Sequence, residues 1–355
     1  MTQTQSTLSA PGDALTQVWY TRCPVPTASG LAYSLGWLTE ALGSSGLEVG
    51  ILQDGPRELI RHHYDHQLIG LFREGGNVPA LAAYAEGAPT RLIGLTWIDE
   101  RQTILVRPDS GIASPAQLKG ARVALPAWGE TRGTSFPRAM SLHGIVSALA
   151  LGGLHAHDVE FVEVPTETGR AVRSDFRPEP GQSWWRGVEY LARGEVDAVY
   201  VKGAAAVEDA RRAGVVPGIE LGAFPDRRFR VNNGTPRPIT VHERILRERP
   251  ELVVKFLTQT LRAADWAATN LDAVREVLQR ETRSGPDGVA AAYGNDFHAA
   301  LHPDLSVDRL DLLARQAAFL STYGFLARPV DVHAWADHEP LRLAREALAH
   351  VAVEA

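Results

Sequence analysis

The chain is predicted to be an α/β protein of two lobes finished by a helical C-terminal region, and three observations lead there. Strand-like runs alternate with helix-like segments from Val18 to Leu221, a pattern that builds a largely parallel sheet flanked by helices. The length of 355 residues exceeds what one hydrophobic core supports, which divides the chain into lobes or domains. After Pro236 and Pro238 the alternation gives way to mostly helical sequence.

Taken in order, residues 1–14 read as a disordered lead. Val18-Trp19-Tyr20-Thr21 is rich in strand formers and predicts the first strand. Thr27 to Leu42 sets Leu31, Leu35, Leu38 and Leu42 at helical spacing before Gly43 and a Ser-Ser-Gly turn, so one helix is expected there. Leu47 to Leu52 alternates as a second strand, which completes a strand–helix–strand unit. A helix from Val78 to Ala85 follows, then strands from Arg91 to Leu95 and from Thr103 to Val106. Ser114 caps a short helix with Pro115 at its first position, and Gly120 stops it before a strand from Ala121 to Leu125. Phe136 to Leu151 predicts a helix, Val159 to Val164 a strand, and Trp185 to Arg193 a helix. Val196 to Val201 reads as a strand, Ala204 to Ala213 as a helix and Ile219 to Leu221 as a strand.

The C-terminal third reads as a short helix from Glu243 to Arg249 and a long amphipathic one from Pro250 to Asn270. A further helix from Ser306 to Tyr323 takes Ser306 as its N-cap and lines Leu310, Leu313, Ala317 and Leu320 along one face. These helices must pack on something already built, and the first lobe is the expected support. No internal repeat or low-complexity segment stands out.

Composition narrows the class. Hydrophobic residues make up 45% and charged residues 22%, ordinary values for a soluble globular protein. A net charge of -6 with an isoelectric point near 6.1 argues against nucleic acid as the main partner, because phosphate binding needs a concentrated basic face. No apolar run approaches the length that spans a bilayer, and no membrane partner is expected. Met1 to Gln17 is polar, with neither the basic start nor the apolar stretch of a secretory signal. A cytoplasmic location is therefore expected, where a thiol stays reduced.

The chemistry-bearing residues lie early in the chain. Cys23 is the single cysteine, set in Tyr20-Thr21-Arg22-Cys23-Pro24-Val25-Pro26. It cannot form an intramolecular disulfide, which leaves a buried apolar filler, a reactive thiolate or a residue there by accident. Arg22 beside it would favour the thiolate, and Pro24 and Pro26 stiffen a loop at the mouth of a strand. Farther on, Arg61-His62-His63-Tyr64-Asp65-His66-Gln67 groups three histidines, but no cysteine or matching acidic set accompanies them. A zinc site is the weaker reading there and a solvated polar loop the blander one, so no metal is expected. Arg73 with Gly75 and Gly76 leads into the helix at Val78. Paired glycines let backbone N–H groups approach an anion, the helix start adds positive potential, and the guanidinium supplies a two-pronged fork.

Together these segments resemble the aromatic sulfinate desulfinase family. That family pairs a cysteine in a Cys-Pro-Val-Pro loop with a histidine, and an arginine ten residues later opens an Arg-x-Gly-Gly-x-x-Pro run. Cys23-Pro24-Val25-Pro26, His63 and Arg73-Glu74-Gly75-Gly76-Asn77-Val78-Pro79 meet both spacings. Weaker similarity extends through Gly194-Glu195-Val196-Asp197-Ala198-Val199-Tyr200 and the Leu118-Lys119-Gly120 turn. Thr21 and Arg22 depart from the family pattern, and the stretch from Pro126 to Trp185, with Trp128, Phe136, Phe176 and Trp184, is unmatched and is expected to shape the pocket.

The resemblance implies a two-lobed fold like that of type 2 periplasmic binding proteins, with mixed sheets flanked by helices. Residues 1–124 and 238–355 would form lobe 1, which carries the Cys/His/Arg site, and residues 125–237 lobe 2, with the site in the cleft between. It also implies a cofactor-independent hydrolase acting on a carbon–sulfur bond, turning an aromatic sulfinate such as 2'-hydroxybiphenyl-2-sulfinate into arene and sulfite. Cys23, His63 and Arg73 would be catalytic, with Arg73, Gly75 and Gly76 binding the sulfinate, in a monomer. Cys23 would act as proton donor or nucleophile, and His62 and His66 compete with His63 as its partner. A non-catalytic binding protein for a sulfonate, sulfinate or other small anion is the main alternative. A thiamine-precursor synthase is disfavoured because no lysine precedes Lys119. A cysteine hydrolase of unrelated fold is disfavoured because no Asn or Asp orienter stands out.

Overall fold

The computed structural model describes residues 15–21, 23, 25–165 and 185–354. The expected disordered lead at 1–14, the charge of Arg22, the ring of Pro24, and Phe176 and Trp184 lie outside the described residues.

Two mixed sheets form the frame. The first is assembled from β1 (Gln17–Tyr20), β2 (Glu48–Ile51), β3 (Leu71–Glu74), β4 (Thr90–Thr96) and, from much later in the chain, β10 (Arg237–His242). The second contains β5 (Gln102–Val106), β6 (Arg122–Pro126), β7 (Glu160–Val164), β8 (Ala198–Lys202) and β9 (Val216–Glu220). Their strand orders are β2-β1-β3-β10-β4 and β7-β6-β8-β5-β9. The parallel pairs expected of strand–helix alternation are present, β1 with β2 and β3, and β6 with β7 and β8. β10 runs antiparallel to β3 and β4, and β5 antiparallel to β8 and β9. These two enter their sheets from the other half of the molecule, which sets their direction.

Helices cover both sheets. α1 (Ala28–Ser34) and α2 (Trp37–Gly43) replace the single helix expected from Thr27 to Leu42. Gly36 between them has φ +79°, a left-handed conformation that breaks the helix and that glycine adopts without strain. α3 (Arg57–Ile60) and α4 (His62–Asp65) are short, and α5 (Asn77–Ala85) is almost wholly buried. α6 (Phe136–Leu151), α7 (Gly187–Ala192) and α8 (Ala204–Ala213) belong to the second half. α9 (Glu243–Glu248), α10 (Pro250–Ala267), α11 (Leu271–Thr282), α12 (Pro286–Ala292), α13 (Val307–Thr322), α14 (Val332–Trp335) and α15 (Glu339–Glu354) follow β10. The C-terminal helices share one apolar core with the first sheet, and Phe72 of β3 stacks on Phe256 of α10 with ring centroids 4.6 Å apart. A second core fills the other half around Ile104, Val123, Leu149 and Tyr200.

Several local expectations are corrected. The chain passes from the first sheet to the second between Thr96 and Gln102, upstream of the boundary expected at residue 124, because β5 and β6 both lie in the second sheet, on either side of β8. Leu71 to Glu74 is a strand that the sequence reading leaves unassigned. It is buried on both faces, so it lacks the alternation that marks half-exposed strands. The short helix after Ser114 is a 3₁₀ turn, Pro115–Leu118. Ser306 stands at the N-cap of α13, yet its hydroxyl donates to Asp304 rather than capping the helix. Among the described residues no helix is long and apolar enough to cross a membrane.

Candidate active site

The site gathers where β1, β3 and β10 lie side by side. β1 continues past its last residue, with Thr21 N–H donating to Phe72 O at 3.3 Å. Two tight turns then carry the chain to the N-cap of α1. Val25 N–H donates to Cys23 O and Thr27 N–H to Val25 O, each at 2.8 Å, and Thr27 Oγ1 accepts from Gly30 N–H. This geometry leaves Cys23 half-buried at the strand mouth as a free thiol.

Arg73 lies on β3, fully buried, opposite Thr240 of β10. Its Nε donates to His63 O at 3.2 Å and its Nη1 to Gly76 O at 3.0 Å, while Nη2 stands 3.4 Å from His63 Nε2. A guanidinium only donates, so Nε2 is the acceptor and the His63 proton resides on Nδ1. Burial, helped by Arg73, His66 and Arg237, holds His63 well below the usual histidine range. The neutral form is therefore the resting one. Burial likewise pushes Arg73 down to about 10, with Cys23 pulling upward and Arg237 pressing further down. Arg73 thus feels both the sulfur and a second cation.

The three neighbouring histidines turn to different partners. His62 Nδ1 pairs with Asp65 Oδ1 at 2.7 Å, and His66 Nε2 approaches His63 O at 3.1 Å. His66 ends α4 with φ 54°. Among the three, His63 is the one whose ring lies within hydrogen-bond distance of Arg73, while His66 feels that cation electrostatically.

The two glycines divide their tasks. Gly75 N–H donates to Pro238 O at 3.2 Å, so it is a link between β3 and β10 and not the anion donor expected of it. A Cβ on Gly75 would lie 2.7 Å from Arg73 Cζ, so a bare glycine is what lets the guanidinium fold back over its own strand. Gly76 stands at the N-cap of α5, its carbonyl accepting from Arg73 and its bare Cα packed against the Asn233 side chain, where a Cβ would clash.

The hydrogen bond to the sulfur comes from a residue that was not anticipated. Arg237 Nη1 donates to Cys23 Sγ at 2.8 Å from a position 214 residues later in the chain. Sequence analysis expected a cation at the sulfur but assigned it to Arg22. The one available signal was a charged residue between Pro236 and Pro238, just where the chain returns to a strand. Beneath the cluster, the buried carboxylate of Glu74 accepts from Ser29 N–H at 3.2 Å, from Ser29 Oγ at 2.5 Å and from Thr96 Oγ1 at 2.8 Å. Burial raises Glu74, while these donors and Arg237 oppose the shift.

No protein-family model matches the chain. Among solved structures, the periplasmic sulfonate-binding protein SsuA from Methylobacillus flagellatus superposes with a TM-score of 0.70 over 94% of this chain and 95% of its own, at 17% identity. That likeness defines the class by fold alone, a two-lobed α/β frame built on two mixed sheets, here bearing a thiol among guanidinium groups. A cysteine-to-serine variant of the desulfurization enzyme DSZB, in complex with biphenyl-2-sulfinic acid, superposes with a TM-score of 0.76 at 26% identity, covering 94% of this chain and 100% of that one. The 2'-hydroxybiphenyl-2-sulfinate desulfinases of Rhodococcus erythropolis and Rhodococcus qingshengii are each 31% identical over 365 aligned residues, 93% of this chain and 93% of theirs. The chain belongs to the 2'-hydroxybiphenyl-2-sulfinate desulfinase family.

Proposed function

We propose that the protein is a cofactor-independent desulfinase that hydrolyses an aromatic sulfinate, of the 2'-hydroxybiphenyl-2-sulfinate kind, to the arene and sulfite. The observation that carries the reading is that Arg73 of the first sheet is bonded to His63 of α4 and feels the charge of Cys23 in the loop after β1, in a family whose structural relative binds biphenyl-2-sulfinic acid. Arg73 holds the sulfinate oxygens with the N–H groups it has left, joined by Gly76 N–H. Oriented donors of this kind stabilise anionic charge without reorganisation. Cys23 is the reacting group, either giving its proton to the ipso carbon or attacking the sulfinate sulfur. His63, neutral at rest, orients Arg73 through Nε2 and stands ready to move a proton. We place the substrate between the lobes and the enzyme, as a monomer, in a reducing cytoplasm where the thiol persists.

Incubation of the purified protein with 2-phenylbenzenesulfinate tests the reading, with sulfite and biphenyl measured together. Equimolar release of both is expected. The likeness to sulfonate-binding proteins favours one other reading, a non-catalytic anion binder. Tight binding of the sulfinate with no sulfite released would establish that reading instead.

A further inference from the structure

We propose that Arg237 is a further catalytic residue, the group that receives the negative charge developing on Cys23 Sγ as the substrate carbon–sulfur bond breaks. This rests on the desulfinase reading and on its proton-donor route. In that route the thiol proton passes to the ipso carbon, which keeps the electron pair of the breaking bond and becomes C–H. Sulfur dioxide departs neutral, and the charge that began on the sulfinate ends on Sγ. Water then adds to sulfur dioxide to give bisulfite, and the proton released restores the thiol.

Charge therefore travels from the oxygens to the sulfur, and the site has a guanidinium at each end. Arg73 faces charge that is already present in the bound substrate. Arg237, hydrogen-bonded to Sγ at 2.8 Å, faces charge that appears only as reaction proceeds. Interactions that strengthen towards the transition state raise kcat, whereas those present from the outset lower KM.

Arg237 is built to hold that position. It is 3% exposed, and its strand is paired on both sides, with Arg237 opposite Thr96 of β4. Pro236 and Pro238 fix φ on either flank. Burial works against its charge, but Cys23 and the carboxylates of Glu100 and Glu74 outweigh it and hold the guanidinium above its usual range. Its Nε–H has no acceptor among the described residues. A buried, unanswered donor beside a half-buried sulfur is a group awaiting an anion.

The test compares Arg237→Met and Arg237→Lys with the wild type, using circular dichroism to verify folding. Removing one preorganised donor from a developing charge costs about 100-fold in rate. The Met variant should therefore lose about 100-fold in kcat with KM within about threefold, and Lys should recover about tenfold of that loss. An unchanged kcat in a folded Met variant overturns the proposal, as does a loss confined to KM. If Met prevents folding, the Lys variant carries the comparison, and wild-type kcat in it overturns the proposal. Iodoacetamide alkylation of Cys23 reads the contact without any sulfinate, because a donor on sulfur favours the reactive thiolate. Slower alkylation by about tenfold is expected in Arg237→Met, and an equal rate overturns the proposal even where the wild type releases no sulfite.

Discussion

Arg73 carries five N–H groups, and the protein engages three of them through His63 O, Gly76 O and His63 Nε2. The two that remain can take the two oxygens of one sulfinate. Replacing it by lysine keeps a charge but removes the planar fork and the backbone anchors. A charge-assisted hydrogen bond is worth ~2 kcal/mol, so Arg73→Lys should raise KM for an aryl sulfinate by about 30-fold. Steady-state kinetics decide it, and an unchanged KM would remove Arg73 from substrate anchoring. Cys23→Ser is expected to abolish sulfite release while leaving sulfinate binding measurable by calorimetry. Turnover at the wild-type rate would take the thiol out of the reaction.

Asn77, the first residue of α5, ties several elements together at their ends. Its Nδ2 donates to Asn232 O at 2.6 Å and to Pro236 O at 2.9 Å, and its Oδ1 accepts from Gln316 Nε2 of α13 at 3.0 Å. The segment leading into β10 is therefore fixed by α5, the same helix that begins beside Gly76. Asn232 extends the link by donating to Met140 O of α6 and to Tyr200 of β8. Asn77→Ala would strand two buried carbonyls and one buried amide, each costing ~1–3 kcal/mol. A loss of about 3 kcal/mol in urea unfolding is expected. Because that segment positions Arg237, kcat should fall with stability. A stability change below about 0.5 kcal/mol, the size of an ordinary surface substitution, would show that the link is dispensable.

Across the whole molecule, a buried polar chain joins the two halves. His143 of α6 pairs through Nδ1 with Gln316 Oε1 of α13 at 2.5 Å, and Gln316 passes the link to Asn77. Burial pushes His143 down to about 3, opposed by the Gln316 bond and aided by Arg315. His63 and His66 are also held well below the histidine range by burial. An unfolded chain protonates these rings below its ordinary value near 6.5, while the folded protein does not. The stability tied to His143 is thus complete above pH ~6.5 and falls as pH drops from there towards 3, by about 1.4 kcal/mol per pH unit, and His63 and His66 add to the decline in the same direction. Urea midpoints measured from pH 7.5 to 4.5 should show this decline, and His143→Gln should flatten it. An identical slope in that variant would exclude His143 as a contributor.

The strand–helix alternation and the helical C-terminal region were legible in the chain because each depends on neighbours within a few residues, whereas the grouping of Cys23, His63 and Arg73 was implied by a family resemblance. Periodicity marks a helix such as α10, and the ten-residue spacing from His63 to Arg73 spans one short strand and its approach. β3 escaped notice because burial on both faces erases alternation, and the break at Gly36 escaped because the apolar spacing runs straight through it. Lobe membership of β5 was decided by pairing with β8 and β9, a choice made between strands and not within one. Arg237 belongs wholly to the tertiary structure. No local pattern tells a guanidinium on one strand that it will meet a sulfur 214 positions earlier. That contact exists because β10 returns from the second half of the chain to lie between β3 and β4 in the first sheet, a placement set by the fold as a whole.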